Sequence, residues 1–185
     1  MEIEIGLLEE CLKEIKKDPF TVAAIIDEIS IGNNFLARVK SLEKKLTNRQ
    51  ETIEAPRFFN KKAIIKIGAY DENLISGEDW DLAIRVKKLG KISRVKKHIF
   101  HYEKGSYLAD IKKKYYYARH ISKYANKHPL EFKKQSGRKR FTNLFKNPRI
   151  IMENPFEFTG LLVLKTLQYL AYVTTQPKLL LKNER

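Results

Sequence analysis

The sequence predicts an α/β fold in which helices and strands alternate, followed by a basic helical extension. Three observations predict it: an apolar, β-rich run at 21–27, amphipathic helical patterns on both sides of that run, and a positive charge concentrated after residue 90. Strands that alternate with amphipathic helices are typical of a sheet covered by helices. The chain shows neither a nucleotide-binding first strand nor a glycine-rich phosphate loop, so the predicted sheet is incomplete.

Apolar side chains at helical spacing predict a helix at 6–19 and another at 32–46. Between them, the uninterrupted apolar run 21–27 predicts a strand that is buried on both faces. The side chains expected to face the core are Leu8, Leu12 and Ile15 in the first helix and Phe35, Val39, Leu42 and Leu46 in the second.

The middle of the chain alternates between short extended and helical patterns. Residue 55 disfavours helix because a proline, Pro56, follows it. The predicted elements are an extended segment at 55–60, a short helix at 61–72 that turns at Gly68, a helix within 75–90, and two short strands at 91–95 and 98–103.

The rest of the chain reads as helical and basic. A basic helix is predicted at 110–129, a flexible basic linker at 133–140 and an apolar helix at 154–177. The apolar side of the 110–129 helix is predicted to hold Ile111, Tyr115, Ala118, Ile121 and Ala125. These patterns divide the chain into an α/β part at 1–108 and a helical extension at 109–185.

The late apolar helix is too short to cross a bilayer. Its uninterrupted part, 160–173, spans about 21 Å, whereas a hydrocarbon core is about 30 Å thick. Lys165, Gln168, Tyr172 and Gln176 add a narrow polar stripe. This pattern predicts a helix, at about 156–173, that packs on the domain or lies in a membrane interface.

The charge distribution indicates an anionic partner. Residues 1–90 hold 15 of the 37 basic and 16 of the 22 acidic residues, a net charge of −1. The remaining 22 basic and 6 acidic residues give 91–185 a net charge of +16. Such a half is suited to a phosphate-rich ligand, a nucleic acid or an anionic membrane surface.

Cysteine usage and the N-terminal sequence suit a reducing compartment. A single cysteine, Cys11, excludes an intramolecular disulfide. The acidic start "MEIEIGLLEE" differs from a signal peptide, which is basic and then apolar. We therefore expect a cytoplasmic protein, held peripherally on the inner face of the cell membrane by its basic half.

The stretch "ISGEDWDLAIRVKKLG" places three carboxylates around the chain's only tryptophan, Trp80. Glu78, Asp79 and Asp81 fall in the first turn of the predicted helix, where the helix dipole favours negative charge. If Asp81 serves only the dipole, its loss is expected to cost about 0.3–1 kcal/mol. Three carboxylates exceed what a helix start needs, so a chemical role is the competing interpretation.

Residues 51–103 resemble the C-terminal half of family 2 glycosyltransferases with the GT-A fold. The resemblance rests on the order of an extended "RFF", a short helix, "GAYDE", then "EDWDL", an arginine, a glycine and a strand ending in histidine. One departure is Ala69, where the family pattern has a second glycine. A weaker likeness extends from residue 7 to about 130.

The resemblance implies a role for each matching side chain. Asp79 is expected to be the general base that deprotonates a hydroxyl acceptor, with Glu78 orienting it. Trp80, Asp81 and Arg57 are expected to contact the acceptor. Core packing of Trp80 and a structural salt bridge of Arg57 are the alternatives of equal weight. His101 is expected to be one ligand of Mg²⁺ or Mn²⁺, the cation that neutralises the leaving nucleoside diphosphate.

The same resemblance implies that part of such an enzyme is missing from this chain. The Asp-x-Asp motif and the nucleoside-binding unit of the family would precede the helix that begins "GLLEE". We therefore expect an inverting, metal-assisted transfer from a nucleotide sugar only together with a separately encoded N-terminal half. The alternatives are a non-catalytic remnant or split-enzyme subunit and, less favoured, a basic nucleic-acid-binding protein.

Overall fold

A computed structural model describes residues 1–47, 54–103 and 106–175, which form a mixed α/β protein. The strands are Glu2–Ile3 (β1), Thr21–Ile31 (β2), Phe58–Phe59 (β3) and Lys91–Tyr102 (β4). The helices up to β4 are Leu7–Lys17 (α1), Phe35–Thr47 (α2), Lys61–Lys66 (α3) and Glu78–Lys87 (α4). The later helices are Tyr107–Lys127 (α5), Pro129–Lys134 (α6), Gly137–Asn143 (α7), Pro148–Glu153 (α8) and Pro155–Thr175 (α9).

The strands form one mixed sheet in the order β1-β4-β2-β3. The two long central strands, β2 and β4, run parallel, and the short outer strands pair antiparallel to them. As predicted, β2 is an inner strand, and its residues Ala23 and Ala24 are buried on opposite sides.

Helices cover both faces of the sheet. On one face, α1 packs Leu7 and Cys11 against β2 and β4. On the other face, α4 packs Leu82 and Val86 around Ala23 of β2. The predicted α/β class is therefore confirmed.

The helical extension packs onto the α/β part through two hydrophobic clusters. In the first, Leu161 and Leu164 of α9 join Val39 and Leu42 of α2. In the second, Tyr124 of α5 joins residues of α4, α6 and α9. Gly160 permits the close approach of α9, because an added Cβ would lie 2.7 Å from Phe35 and 2.9 Å from Val39.

Three predicted helical faces are corrected by the structure. In α2, Val39, Leu42 and Leu46 are buried as predicted, but Phe35 is 39% exposed. In α1 the buried residues are Leu7 and Cys11, whereas Leu8 and Leu12 are 50% and 48% exposed. The helix presents the neighbouring i, i+4 pair to the sheet, and both pairs have the same spacing. In α5, Ala118, Ile121 and Ala125 are buried as predicted, whereas Tyr115 is exposed and Tyr124 joins the buried face.

The two short strands predicted at 91–95 and 98–103 are one strand, β4. The Glu10 carboxylate of α1 accepts hydrogen bonds from the backbone N–H groups of Lys96 and Lys97, at 3.0 and 3.1 Å. These donors thus have a partner outside the sheet, and β4 continues through the two lysines despite their polar sequence.

The flexible linker predicted at 133–140 is also wrong. This region is occupied by the end of α6 and the start of α7. Phe132 of α6 packs edge-on against Tyr124, and Leu144, just after α7, is buried between α2 and α9. Apolar contacts therefore order a segment whose sequence is mostly basic.

The late apolar helix was predicted to extend to residue 177. Its last two predicted residues, 176 and 177, including Gln176 of the polar stripe, lie outside the described part of the chain.

Candidate functional site

The start of α4 is held by a turn that the sequence marks with glycine. Gly77 precedes the helix with φ 84°, a backbone conformation that side chains rarely adopt. A Cβ at this position would lie 2.6 Å from the Tyr124 ring of α5. The helix therefore begins in close contact with α5, and this contact fixes where its first-turn carboxylates lie.

Asp81 belongs to the interior of the molecule. Its side chain is completely buried, and its Oδ2 lies 2.8 Å from Arg85 Nε and 2.7 Å from Arg85 Nη2. Its Oδ1 lies 2.8 Å from both Lys127 Nζ and His128 Nε2, at the end of α5. Burial alone would raise the pKa of Asp81, but hydrogen bonds from His128, Lys127 and Arg85 hold it below its usual value.

This burial corrects the expectation that Asp81 contacts an acceptor. The side chain joins α4 to α5, and its partners extend the connection to the preceding turn. Arg85 donates to the backbone carbonyls of Ile67 and Ala69, at 2.7 and 2.6 Å. Lys127 also binds Asp71 at 2.6 Å, which lowers the pKa of Asp71 to about 2.

The "GAYDE" turn follows α3 and carries the departure from the family pattern. The N–H groups of Gly68 and Ala69 donate to the carbonyls of Ile65 and Ile64, which closes the helix C-terminus. Ala69 has φ 53°, so the alanine occupies the left-handed conformation that normally favours glycine. The two hydrogen bonds from Arg85 hold this turn in place.

Asp79 occupies a different environment from Asp81. Its side chain is exposed and lines a small cavity of about 110 Å³ with Ala55, Pro56, Arg57 and Tyr70. The Tyr70 hydroxyl donates to Asp79 Oδ1 at 3.2 Å. Burial and the neighbouring Asp79 charge raise the pKa of Tyr70, so its hydroxyl remains a donor at neutral pH.

The other predicted site residues have mixed surroundings. Arg57 lines the Asp79 cavity, and its Nη2 lies 2.5 Å from Glu28 Oε1. Glu78 is half-buried beside Asp79 in the first turn of α4. Trp80 does not line the cavity and packs against Tyr124, with ring centroids 5.6 Å apart.

His101 lies near the end of β4 and does not line the Asp79 cavity. Its Nδ1 is 3.2 Å from Glu103 Oε1, and the same carboxylate accepts from Ser30 Oγ at 2.8 Å and Lys40 Nζ at 3.1 Å. Burial would raise the pKa of Glu103, but these donors lower it.

The metal prediction does not fit the described residues as they stand. Residues 1–47, 54–103 and 106–175 contain no group of three His, Cys, Asp or Glu side chains placed to share a metal ion. The carboxylate nearest His101 is already bound by a lysine and a serine. His101 stays a predicted ligand of Mg²⁺ or Mn²⁺.

A larger cavity, of about 320 Å³, lies elsewhere, at the end of β2 and the start of α2 and α9. Its carboxylate, Glu157, is bound by Arg38 at 3.0 Å. Asp79 is instead exposed and contacts only a neutral hydroxyl among the hydrogen bonds of the described residues. The smaller cavity is therefore the better candidate for proton-transfer chemistry.

Sequence reasoning missed the residues that arrange this site. Tyr70 lies in the "GAYDE" motif, nine residues before Asp79. This short separation was the signal that could have predicted a contact between them. Lys127 and His128 gave no signal, because they reach Asp81 from the far end of α5.

No protein-family model, curated protein or solved structure matches the chain.

Proposed function

We propose that this chain is the acceptor-side part of a family 2-like, GT-A glycosyltransferase, with Asp79 as its general base. The observation that carries the proposal is the different placement of the α4 carboxylates. Asp81 is buried among cations, whereas Asp79 is exposed in a cavity, next to a hydroxyl donor and a guanidinium. A structural helix start needs no carboxylate in a cavity.

The proposed reaction is a direct displacement with inversion at the anomeric carbon. Asp79 takes the proton of an acceptor hydroxyl as its oxygen attacks the anomeric carbon of a nucleotide sugar. The bond from that carbon to the diphosphate oxygen breaks, and the nucleoside diphosphate leaves with the bonding electrons. Tyr70 orients Asp79 through its 3.2 Å hydrogen bond, and Arg57 offers a donor to the acceptor at the same cavity.

The size of the cavity supports a requirement for a second unit. Small-molecule sites usually measure about 300–1,000 Å³, so the recess of about 110 Å³ holds only part of an acceptor. The exposed apolar surface around β1 and α1 suits a protein partner. It comprises Met1, Ile3, Ile5, Leu8 and Leu12. We propose that a donor-binding unit docks there and supplies the nucleotide-sugar site and the remaining ligands for Mg²⁺ or Mn²⁺.

The proposal is tested with Asp79→Asn, which keeps the size of the side chain and removes the base. Native membranes from cells that express the wild type or the variant are incubated with a panel of labelled nucleotide sugars. The rate at which labelled sugar is transferred to hydroxyl acceptors in the membranes is expected to fall by about 10²–10⁴-fold, the usual contribution of a general base. Purified chain alone is expected to show no transfer.

Glu72→Gln is the matched control, because Glu72 is an exposed carboxylate in the turn before α4 and does not line the cavity. It is expected to retain wild-type transfer. Wild-type rates in a normally folded Asp79→Asn variant would refute the assigned role. Membranes that transfer no label whether or not the chain is present would refute the glycosyltransferase itself.

A further inference from the structure

The larger cavity, of about 320 Å³, lies where the central strand β2 ends. In open α/β sheets, ligands bind in crevices outside the carboxyl ends of the parallel strands. The volume falls within the range of about 300–1,000 Å³ that is usual for small-molecule sites. The lining comes from the end of β2, from α2 and from the start of α9, and it shares no residue with the Asp79 cavity. The position and size of this cavity therefore fit a second, separate small-molecule site.

Arg38 of α2 is held in place at the wall of this cavity. Its Nε donates to Glu157 Oε1 at 3.0 Å, and its Nη1 donates to the carbonyl of Asn33 at 3.3 Å. The hydrogen bond from Arg38 lowers the pKa of Glu157, so this carboxyl group is charged at neutral pH. The Nη2 group of Arg38 makes no hydrogen bond to any residue in the described ranges. A guanidinium fixed in this way can donate to a ligand without first being ordered.

Lys45 brings a second cation to the cavity. The neighbouring residue, Lys44, binds Glu28 at 3.0 Å. Lys45 is instead exposed, and its ammonium has no carboxylate within ion-pairing distance in the part of the chain that the structure describes. The lining thus contains two cations, Arg38 and Lys45, and one carboxylate, Glu157, which gives it a net charge of about +1 at neutral pH.

The neutral polar groups of the lining are hydroxyls and amides. They belong to Ser30, Asn33, Ser41 and Asn154. Such groups both donate and accept hydrogen bonds, as the hydroxyls of a ligand also do. Ser41 lies between Arg38 and Lys45 on one side of α2, because the three residues are spaced by three and four positions. Ile31 and Leu42 add apolar surface for the carbon atoms of a ligand.

We propose that this cavity binds a small hydroxylated carboxylate, such as a sugar acid. The carboxylate balances the net charge of the lining and accepts charge-assisted hydrogen bonds from Arg38 and Lys45. The ligand hydroxyls bind the amides and hydroxyls of the lining. A phosphate monoester fits less well, because its charge of about −1.5 to −2 exceeds that of the lining and would lie beside Glu157. The site does not depend on glycosyl transfer at Asp79.

Glucuronate and glucose test the proposal, because they share a sugar ring and differ by the carboxylate. The full chain is titrated with each compound at pH 7 by isothermal titration calorimetry, with the ionic strength held constant by sodium chloride. Glucuronate is expected to bind with a Kd of about 1 mM or tighter. Glucose is expected to bind at least about 10-fold more weakly, because it cannot form the charge-assisted hydrogen bonds.

Two variants change the charge of the cavity in opposite directions. Lys45→Gln removes a cation and is expected to weaken glucuronate binding by about 10-fold. Lys66→Gln, on an exposed lysine of α3, is the matched control and should bind like the wild type. Glu157→Gln removes the carboxylate and frees the Nε of Arg38, so it is expected to tighten glucuronate binding by roughly 2- to 5-fold. Melting temperatures check that each variant is folded.

The opposite signs separate a binding site from a structural ion pair, because loss of a purely structural pair would not tighten binding. The proposal is overturned if glucuronate gives no saturable heat, if glucose binds as tightly as glucuronate, or if Lys45→Gln leaves the Kd unchanged. A folded Glu157→Gln variant that binds glucuronate no more tightly than the wild type would overturn it as well. If Glu157→Gln does not fold, the comparison of Lys45→Gln with Lys66→Gln decides alone.

Discussion

At the scale of single residues, the first turn of α4 shows how burial assigns different roles to neighbouring carboxylates. Asp79 and Asp81 are two positions apart, so their side chains leave the helix in different directions. One enters a cavity beside Tyr70, and the other enters the contact with α5. The sequence could predict three carboxylates at a helix start. It could not predict which was buried, because the partners Lys127 and His128 are almost fifty residues away.

Asp81→Asn is expected to destabilise the fold by roughly 3–5 kcal/mol, the usual cost of removing one partner from a buried ion pair. This exceeds the 0.3–1 kcal/mol expected for a dipole contact alone, because Arg85, Lys127 and His128 all lose their shared carboxylate. Urea unfolding measures the difference. Asp79→Asn is the control and should lie within about 0.5 kcal/mol of the wild type, as exposed positions do.

Asp81 also makes the folding stability depend on pH, and the direction of this dependence follows from its pKa. The pKa of Asp81 is lower in the folded than in the unfolded state, where it is about 3.9. Its stabilisation is therefore fully present above about pH 4 and is lost as the pH falls through the lower folded value. The difference in stability between the wild type and Asp81→Asn should shrink as the pH falls below about 4. An undiminished difference at pH 3 would contradict the ion-pair role.

At the scale of elements, helical and extended patterns were well predicted, whereas faces and ends depended on distant contacts. The positions of β2 and α2 followed from apolar spacing alone. The continuity of β4 depends on Glu10 of α1, and the helices α6 and α7 depend on packing around Tyr124 and Leu144. Glu10 lies 86 residues before Lys96, and the α2 residues packed around Leu144 lie about a hundred residues before it, so local propensity carries no record of these contacts.

The buried face of α1 gives a prediction at this scale. Leu7→Ala is expected to cost about 2–5 kcal/mol, because Leu7 is fully buried against β2 and β4. Leu8→Ala, one position later, should change stability by no more than about 0.5 kcal/mol. Chemical denaturation of both variants separates the two faces. Equal losses would mean that the exposed surface of α1 is buried in solution, for instance by a partner or a second copy.

At the scale of the whole molecule, α9 has two apolar faces, and only one packs inside the protein. Gly160, Leu161 and Leu164 face the interior against α2. A neighbouring face carries apolar side chains that remain exposed at helical spacing: Phe156, Val163, Leu167 and Leu170. No helix in the described ranges is long and apolar enough to cross a membrane. The buried face of α9 fits the predicted packing on the domain, and the exposed face fits the predicted position in a membrane interface.

We expect the exposed face of α9 to bind anionic bilayers, with the basic half of the chain adding electrostatic attraction. Each basic side chain near such a surface contributes about 1 kcal/mol, and the apolar side chains add an attraction that salt does not screen. In flotation assays the full chain should bind phosphatidylserine vesicles at low salt, bind phosphatidylcholine weakly, and be released only in part by high salt.

Leu170→Glu should reduce flotation with little change in folding stability, because Leu170 is exposed. Ile65→Glu makes the same change on an exposed residue of α3 and serves as the control, with wild-type flotation expected. Recovery of the wild type entirely in the soluble fraction at low salt would contradict the membrane role. If the same protein then shifted random-sequence RNA in a gel, the positive charge would be explained by nucleic-acid binding instead.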